Sequence, residues 1–164
     1  MKGTWLRKLE QYLDAAGLTR VHPESIESTA RAAVEALAGL PHFEQIWAGD
    51  LHTSIQLVVV ASGDRVPGVE FARRAQLLRE RAASLGARVK GKVQVLQLAL
   101  YDRAVPPEER DFVVEKALVA ARWPLAQGRV ATWVVALAEP ALYAGAFRGW
   151  PQELSADQLR ALLA

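Results

Sequence analysis

The stretch VQVLQLALYDRAVPPEERDFVVEKALVAARW, residues 93–123, decides the fold. Its first nine residues are almost continuously apolar, which indicates a strand buried on both faces. Residues 107–123 instead repeat their apolar side chains at helical spacing, with Val114, Ala117 and Leu118 on one stripe. Two prolines and a cluster of charges join the two patterns, so the stretch predicts a strand, a tight turn and a helix.

The flanking segments repeat this arrangement. IQLVVVA, residues 55–61, predicts a second buried strand, and residues 69–85 predict an amphipathic helix that stops at Gly86. Residues 130–137 predict a third strand. A shorter strand over 43–47 can pair with 55–61 through a turn at Gly49-Asp50. The central order of strand, helix, strand, helix, strand predicts right-handed crossovers and a largely parallel sheet.

Helical patterns dominate the two ends of the chain. Residues 4–16 predict a first helix, and a second begins near Pro23 and ends by Gly39. Ser155 is a candidate N-cap for a short last helix. The predicted fold class is α/β, with a three- to four-stranded, largely parallel sheet, flanking helices and an N-terminal helical pair. We predict one domain over 1–164, divided into a helical part (1–41), an α/β core (42–138) and a tail (139–164).

Composition narrows the class of protein. Of the 164 residues, 51% are hydrophobic, which is enough for a core, and there is no cysteine. The chain therefore has neither disulfides nor cysteine-ligated zinc, as suits a reducing compartment. The N-terminus lacks the apolar core of a signal peptide, and Glu139 and Pro140 interrupt the most apolar segment, 130–147. We expect a cytoplasmic protein without a transmembrane segment.

Charge is unevenly distributed. Residues 64–92 contain eight basic and three acidic residues, a net charge of +5, so a total of +2 leaves −3 for the rest of the chain. This asymmetry favours an anionic partner, such as nucleic acid, an anionic membrane surface or an acidic protein. The candidate anion-binding residues are Arg65, Arg73, Arg74, Arg81, Arg88, Lys90 and Lys92.

The first candidate for catalysis lies where the strand of residues 93–101 ends. Asp102 and Glu108 belong to a cluster of charges at the carboxyl end of a strand, where α/β proteins usually bind ligands. Their carboxylates could hold a divalent cation or act as acid and base. A simpler interpretation is a well-formed turn, in which acidic residues complement the dipole of the following helix.

GDLHTS, residues 49–54, is the second candidate. In an extended chain Asp50, His52 and Ser54 lie on one side, which is a minimal set for metal binding or nucleophile activation. No glycine elbow presents Ser54, and a hairpin with a polar outer face explains the same residues. No cofactor is predicted, and a divalent metal is the alternative.

The loop SGDRVPG, residues 62–68, follows a strand and precedes a helix. Its spacing matches neither the dinucleotide fingerprint nor the P-loop. The free N–H groups of the following helix, helped by Arg65, remain able to accept an anion.

This layout over residues 4–138 resembles the soluble cytosolic domain that precedes the membrane part of some bacterial rhomboid-type intramembrane proteases. That domain is in turn similar to the restriction-endonuclease-like core. The endonuclease core needs an Asp on one strand and Glu-x-Lys on the next. Asp50 suits the first position, but Ile55-Gln56-Leu57 lacks both Glu and Lys. The resemblance therefore implies a related fold without nuclease chemistry.

The sequence favours a non-catalytic regulatory or interaction domain that binds a protein, a second copy or an anionic partner. The first alternative is a metal-dependent hydrolase or nuclease-like enzyme that uses Asp50 and His52, with Asp102 or Glu108 contributing if the fold brings them close. The second alternative is a nucleic-acid-binding domain. Sparse aromatic residues in the basic segment count against a stacking platform for single strands.

Overall fold

A computed structural model describes residues 1–22, 43–51, 54–120, 128–145 and 154–164, together with Arg31, Val34 and Leu37. In chain order the elements are α1 (Lys2–Ala15), β1 (Thr19–Arg20), β2 (Phe43–Leu51), β3 (Ser54–Ser62), α2 (Gly68–Val89), β4 (Lys92–Tyr101), α3 (Pro107–Ala120), β5 (Gly128–Ala136), β6 (Ala141–Tyr143) and α4 (Ala156–Ala161). The α/β class is as predicted.

The sheet is larger and more mixed than predicted. The described strands form one six-stranded sheet in the order β1-β2-β3-β4-β5-β6. β3, β4 and β5 are parallel neighbours, as expected, whereas β1–β2, β2–β3 and β5–β6 pair antiparallel. The predicted number of strands, three to four, was therefore too small, and the sheet is mixed rather than largely parallel. β1 and β6 have only two and three residues, too few to produce a readable period.

The β2–β3 hairpin turns later than predicted. Gly49 and Asp50 are inside β2, and the pairing continues to Leu51 opposite Ser54, so Gly49 and Asp50 do not form the turn. Gly49 instead allows a close approach between β2 and the loop that follows α1. A Cβ at Gly49 would lie 2.6 Å from the carbonyl oxygen of Gly17, so a larger residue would push away the loop that follows α1.

Two helical layers cover the sheet. Strand β4 shows the division, because Leu96, Leu98 and Leu100 pack in one core cluster with residues of α1 and α4. On the opposite face, Val93 and Val95 pack with residues of α2. Each face is fully buried along the centre of the sheet, which explains why the parallel strands read as continuous apolar runs.

The predicted N-terminal helical pair is described only in part. The first helix is α1, as expected over almost the same residues. The second prediction, from Pro23 to Gly39, lies outside the described residues except at Arg31, Val34 and Leu37. These three are helical, and the Leu37 side chain is buried against the face that α2 covers.

Helix α2 is longer than predicted. Gly86, the expected stop, is a buried residue inside the helix, which ends at Val89. Lys90 then adopts a left-handed conformation with φ of 53°, and its backbone N–H donates to the Gly86 carbonyl. The N–H of Gly91 donates to the same oxygen at 3.0 Å. Lys90-Gly91 therefore supplies the C-terminal closure that the sequence placed four residues earlier.

The last helix begins as expected. The Gln158 backbone N–H donates to the Ser155 hydroxyl at 3.2 Å, so Ser155 is the N-cap of α4. Within the described part of the chain, no helix is long and apolar enough to cross a membrane.

Candidate functional site

The parallel strands give the sheet two distinct ends. β3, β4 and β5 finish at Ser62, Tyr101 and Ala136, and we call that end the carboxyl edge. We call the opposite end, where the same strands begin, the amino edge. At about 3.3 Å per residue, the eight steps from Val93 to Tyr101 separate the two edges by about 26 Å.

The candidate catalytic carboxylates lie at opposite edges. Asp50 pairs with Ile55, which pairs with Val93, so Asp50 is at the amino edge. Asp102 follows β4 and Glu108 lies in the first turn of α3, so both are at the carboxyl edge. His52 lies outside the described residues. The fold therefore does not bring Asp50 together with Asp102 or Glu108.

An arginine organises the carboxyl edge. Arg103 donates from Nε to Asp64 Oδ1 at 3.1 Å and from Nη2 to Glu109 Oε1 at 2.7 Å. The Asp102 backbone N–H donates to the other Asp64 oxygen at 2.9 Å. The hydrogen bond to Glu109 raises the pKa of Arg103 above its ordinary value. Asp64 thus ties the β3–α2 loop to the β4–α3 loop, and Glu109 ties the latter to α3.

Asp102 and Glu108 take structural positions in this arrangement. Asp102 contributes its backbone N–H, and Glu108 stands exposed in the first turn of α3, where a carboxylate complements the helix dipole. This geometry is the well-formed βα turn that the sequence offered as the simpler interpretation. Among the described residues, no three His, Asp or Glu side chains converge to hold a metal ion.

Tyr101 lies beneath the arginine. The guanidinium carbon of Arg103 is 5.1 Å from the centre of the Tyr101 ring, and the ring also packs so closely on Gly63 that a Cβ there would collide with it. The side chain is fully buried, and its hydroxyl has no hydrogen-bond partner. Burial, and then the negative charge of Glu109, raise the pKa of Tyr101 to about 12. The phenol is therefore kept neutral.

The raised pKa of Tyr101 gives a testable pH dependence. The unfolded phenol ionises near pH 10 and the buried one at about 12, so the unfolded state loses its proton first. The free energy of unfolding is therefore unaffected by this group below pH 10. It falls by about 3 kcal/mol as the pH rises from 10 to 12. Phenylalanine has no ionisable hydroxyl, so Tyr101→Phe removes this loss. We expect the stability of the variant relative to wild type to rise by about 3 kcal/mol between pH 10 and pH 12. Urea titrations at several pH values measure the difference, and a constant difference would contradict the assignment.

The predicted anion-binding residues do not form one surface. Arg65 is in the exposed β3–α2 loop at the carboxyl edge, and Arg73 is bound by Glu70 within α2. Arg74 is buried, with its guanidinium carbon 5.1 Å from the centre of the Phe43 ring. Desolvation lowers the pKa of Arg74. Arg81 is half-buried. These four positions are therefore not available together to one external anion.

The remaining three cations lie close together. Arg88, Lys90 and Lys92 fall within five residues that run from the last turn of α2 to the first residue of β4, and all three are exposed. We call residues 88–92 the basic turn. Lys92 pairs with Ser54, so the basic turn is at the amino edge beside the β2–β3 hairpin. Residues 81–101 include four basic and no acidic residues, which leaves the turn in a strongly positive part of the chain.

A shallow groove of about 240 Å³ lies elsewhere, between the start of α1 and the residues after α4. Its lining is mostly apolar. Lys8, its one basic residue, donates to the carbonyl oxygen of Ala164, three residues after α4, at 2.7 Å. The groove is lined by Met1, Thr4, Trp5, Lys8, Leu137, Pro140, Leu162 and Leu163.

No protein-family model matches the chain, and searches of curated proteins and of solved structures found no similar protein. The resemblance to the cytosolic domain of rhomboid-type proteases therefore stays a prediction. Sequence reasoning missed Asp64 and Tyr101 at the carboxyl edge, because their importance depends on contacts between segments that are far apart in the chain.

Proposed function

We propose that this chain is a non-catalytic interaction domain that binds an anionic partner through the basic turn. The observation that carries the proposal is the concentration of exposed Arg88, Lys90 and Lys92 in five residues. Within the described part of the chain, neither lysine ammonium forms an ion pair. Both are therefore available to an external anion, whereas Arg73 is already bound by Glu70.

The backbone at Lys90 also supports the proposal. A left-handed conformation suits glycine and costs other L-residues about 1–2 kcal/mol. Residues held in such conformations are concentrated at functional sites. A lysine here also has a structural benefit, because a cation near a helix C-terminus contributes about 0.3–1 kcal/mol. Stability and binding must therefore be measured on the same variant.

Lys90→Gly separates the two roles. Glycine relieves the backbone strain and removes one charge, so we expect unchanged or higher stability, by up to about 1 kcal/mol. We also expect weaker binding to a polyanion, measured as a lower salt concentration for elution from immobilised heparin. Arg65→Ser, which removes one exposed charge at the other edge, is the matched control and should elute close to wild type. Elution of Lys90→Gly with wild type would contradict the proposal.

The enzyme alternative draws no support from the described geometry. Its carboxylates are about 26 Å apart by strand length. At the carboxyl edge, Arg103 already binds Asp64 and Glu109. The cytoplasmic location and the identity of the partner remain part of the proposal.

A further inference from the structure

Val89 is exposed at the centre of the basic turn. The residue keeps 48% of its surface accessible, although valine is apolar. Arg88 precedes it and Lys90 follows it, so the turn combines an exposed apolar residue with basic neighbours in the chain. The turn lies at the amino edge, where α2 ends and β4 begins.

We infer that the basic turn docks on an anionic phospholipid surface, with Lys90 and Lys92 at the lipid phosphates and Val89 entering the headgroup region. The inference rests on the proposed function and specifies its partner. An exposed apolar residue with basic neighbours matches both components of such a surface, because the hydrophobic and electrostatic contributions to membrane binding add.

The backbone of the turn argues for a diffuse surface rather than one enclosed phosphate. A phosphate-binding loop offers several free N–H groups to one anion. Here the N–H groups of Lys90 and Gly91 both donate to the Gly86 carbonyl oxygen. Side-chain charges are therefore what the turn offers, and these adapt to phosphates that are spread over a plane.

Nucleic acid matches the turn less well. Proteins that bind single strands stack bases on aromatic side chains, and residues 81–100 contain no Phe, Trp or Tyr. Nucleic-acid phosphates also provide no place for the exposed Val89. A lipid surface uses every exposed side chain of the turn.

The expected binding is weak and sensitive to salt. Each basic residue near an anionic bilayer strengthens binding about fivefold, so Lys90 and Lys92 together give about twenty-five-fold. Asp50, which is exposed at the same edge, opposes the anionic surface. The basic turn alone therefore gives weak membrane binding, and stable docking needs a second point of attachment.

Co-sedimentation of the full chain with vesicles tests the inference. We expect binding to phosphatidylcholine vesicles that contain phosphatidylserine, little binding to phosphatidylcholine alone, and loss of binding at high salt. Lys90→Gly should weaken binding about fivefold. Val89→Ser should weaken it severalfold, whereas Val69→Ser should not. Val69 is the matched control because it is 64% exposed at the other end of α2.

The possible results separate the inference from the proposed function. Equal vesicle binding by wild type and Val89→Ser would overturn docking on lipid. So would tighter binding to duplex DNA than to the anionic vesicles. In either case, weaker DNA or heparin binding by Lys90→Gly would leave the anion-binding function standing. Failure of wild type to bind vesicles, DNA and heparin at low salt would overturn both.

Discussion

Trp47→Ala is expected to destabilise the protein by about 3–5 kcal/mol, as is usual when a large aromatic side chain is removed from a core. Trp47 lies in β2, is 1% exposed and belongs to the core cluster that contains Leu9 and Leu13 of α1. Its removal leaves a cavity between the sheet and α1. Because domains of this size are stable by only about 5–15 kcal/mol, the variant should unfold at a much lower urea concentration.

Trp47→Phe is the matched control for this experiment. The indole N–H of Trp47 is buried without a hydrogen-bond partner, so phenylalanine removes an unsatisfied donor while it keeps much of the apolar volume. We expect the phenylalanine variant to lose far less stability than the alanine variant. Similar urea midpoints for Trp47→Ala and wild type would show that α1 does not pack on the sheet as described.

Gly128→Ala is expected to destabilise the protein by about 1–3 kcal/mol or more, the usual range for overpacking. A Cβ at Gly128 would lie 2.4 Å from the backbone nitrogen of Ala83 and 2.9 Å from the carbonyl oxygen of Arg79. Both atoms belong to the backbone of α2, which cannot move aside as a flexible side chain would. The start of β5 and the middle of α2 must therefore separate.

Gly3→Ala provides the opposite expectation. Gly3 is exposed in α1, and no atom lies within 4 Å of the position that its Cβ would occupy. Alanine in a helix is favoured over glycine by about 1 kcal/mol, so this variant should be more stable than wild type. Calorimetry of Gly128→Ala and Gly3→Ala checks both expectations, a lower melting temperature for the first and a higher one for the second. Stabilisation by Gly128→Ala would rule out the close approach of β5 to α2.

The sequence predicted the parts of the fold whose signal is local. β3, β4 and β5 are buried on both faces and are recognisable as apolar runs without any knowledge of their neighbours. The short strand β6 has no such signal, because three residues become a strand only through pairing with Val134–Ala136. The end of α2 was misplaced for a related reason, since burial of Gly86 inside the helix depends on tertiary packing.

The candidate surfaces were predictable to a different degree. Counting charges located the positive segment, but it could not distinguish buried Arg74 from exposed Lys90, although both are basic residues in the same region. Partners distant in the chain decide such differences, as when Arg74 lies over the ring of Phe43 and Arg103 binds Asp64. The conformation of Lys90 had no signal in the sequence, because lysine rarely adopts positive φ.

The arrangement at the carboxyl edge also has a consequence for where a partner would meet the sheet. In open α/β folds the crevice beyond the strand ends is where small molecules usually bind. In this protein the carboxylates of Asp64 and Glu109 at that edge are already paired with Arg103, whose guanidinium lies over the Tyr101 ring. A ligand that needed either carboxylate would have to compete with the arginine for it. The proposed function accordingly assigns recognition to the amino edge.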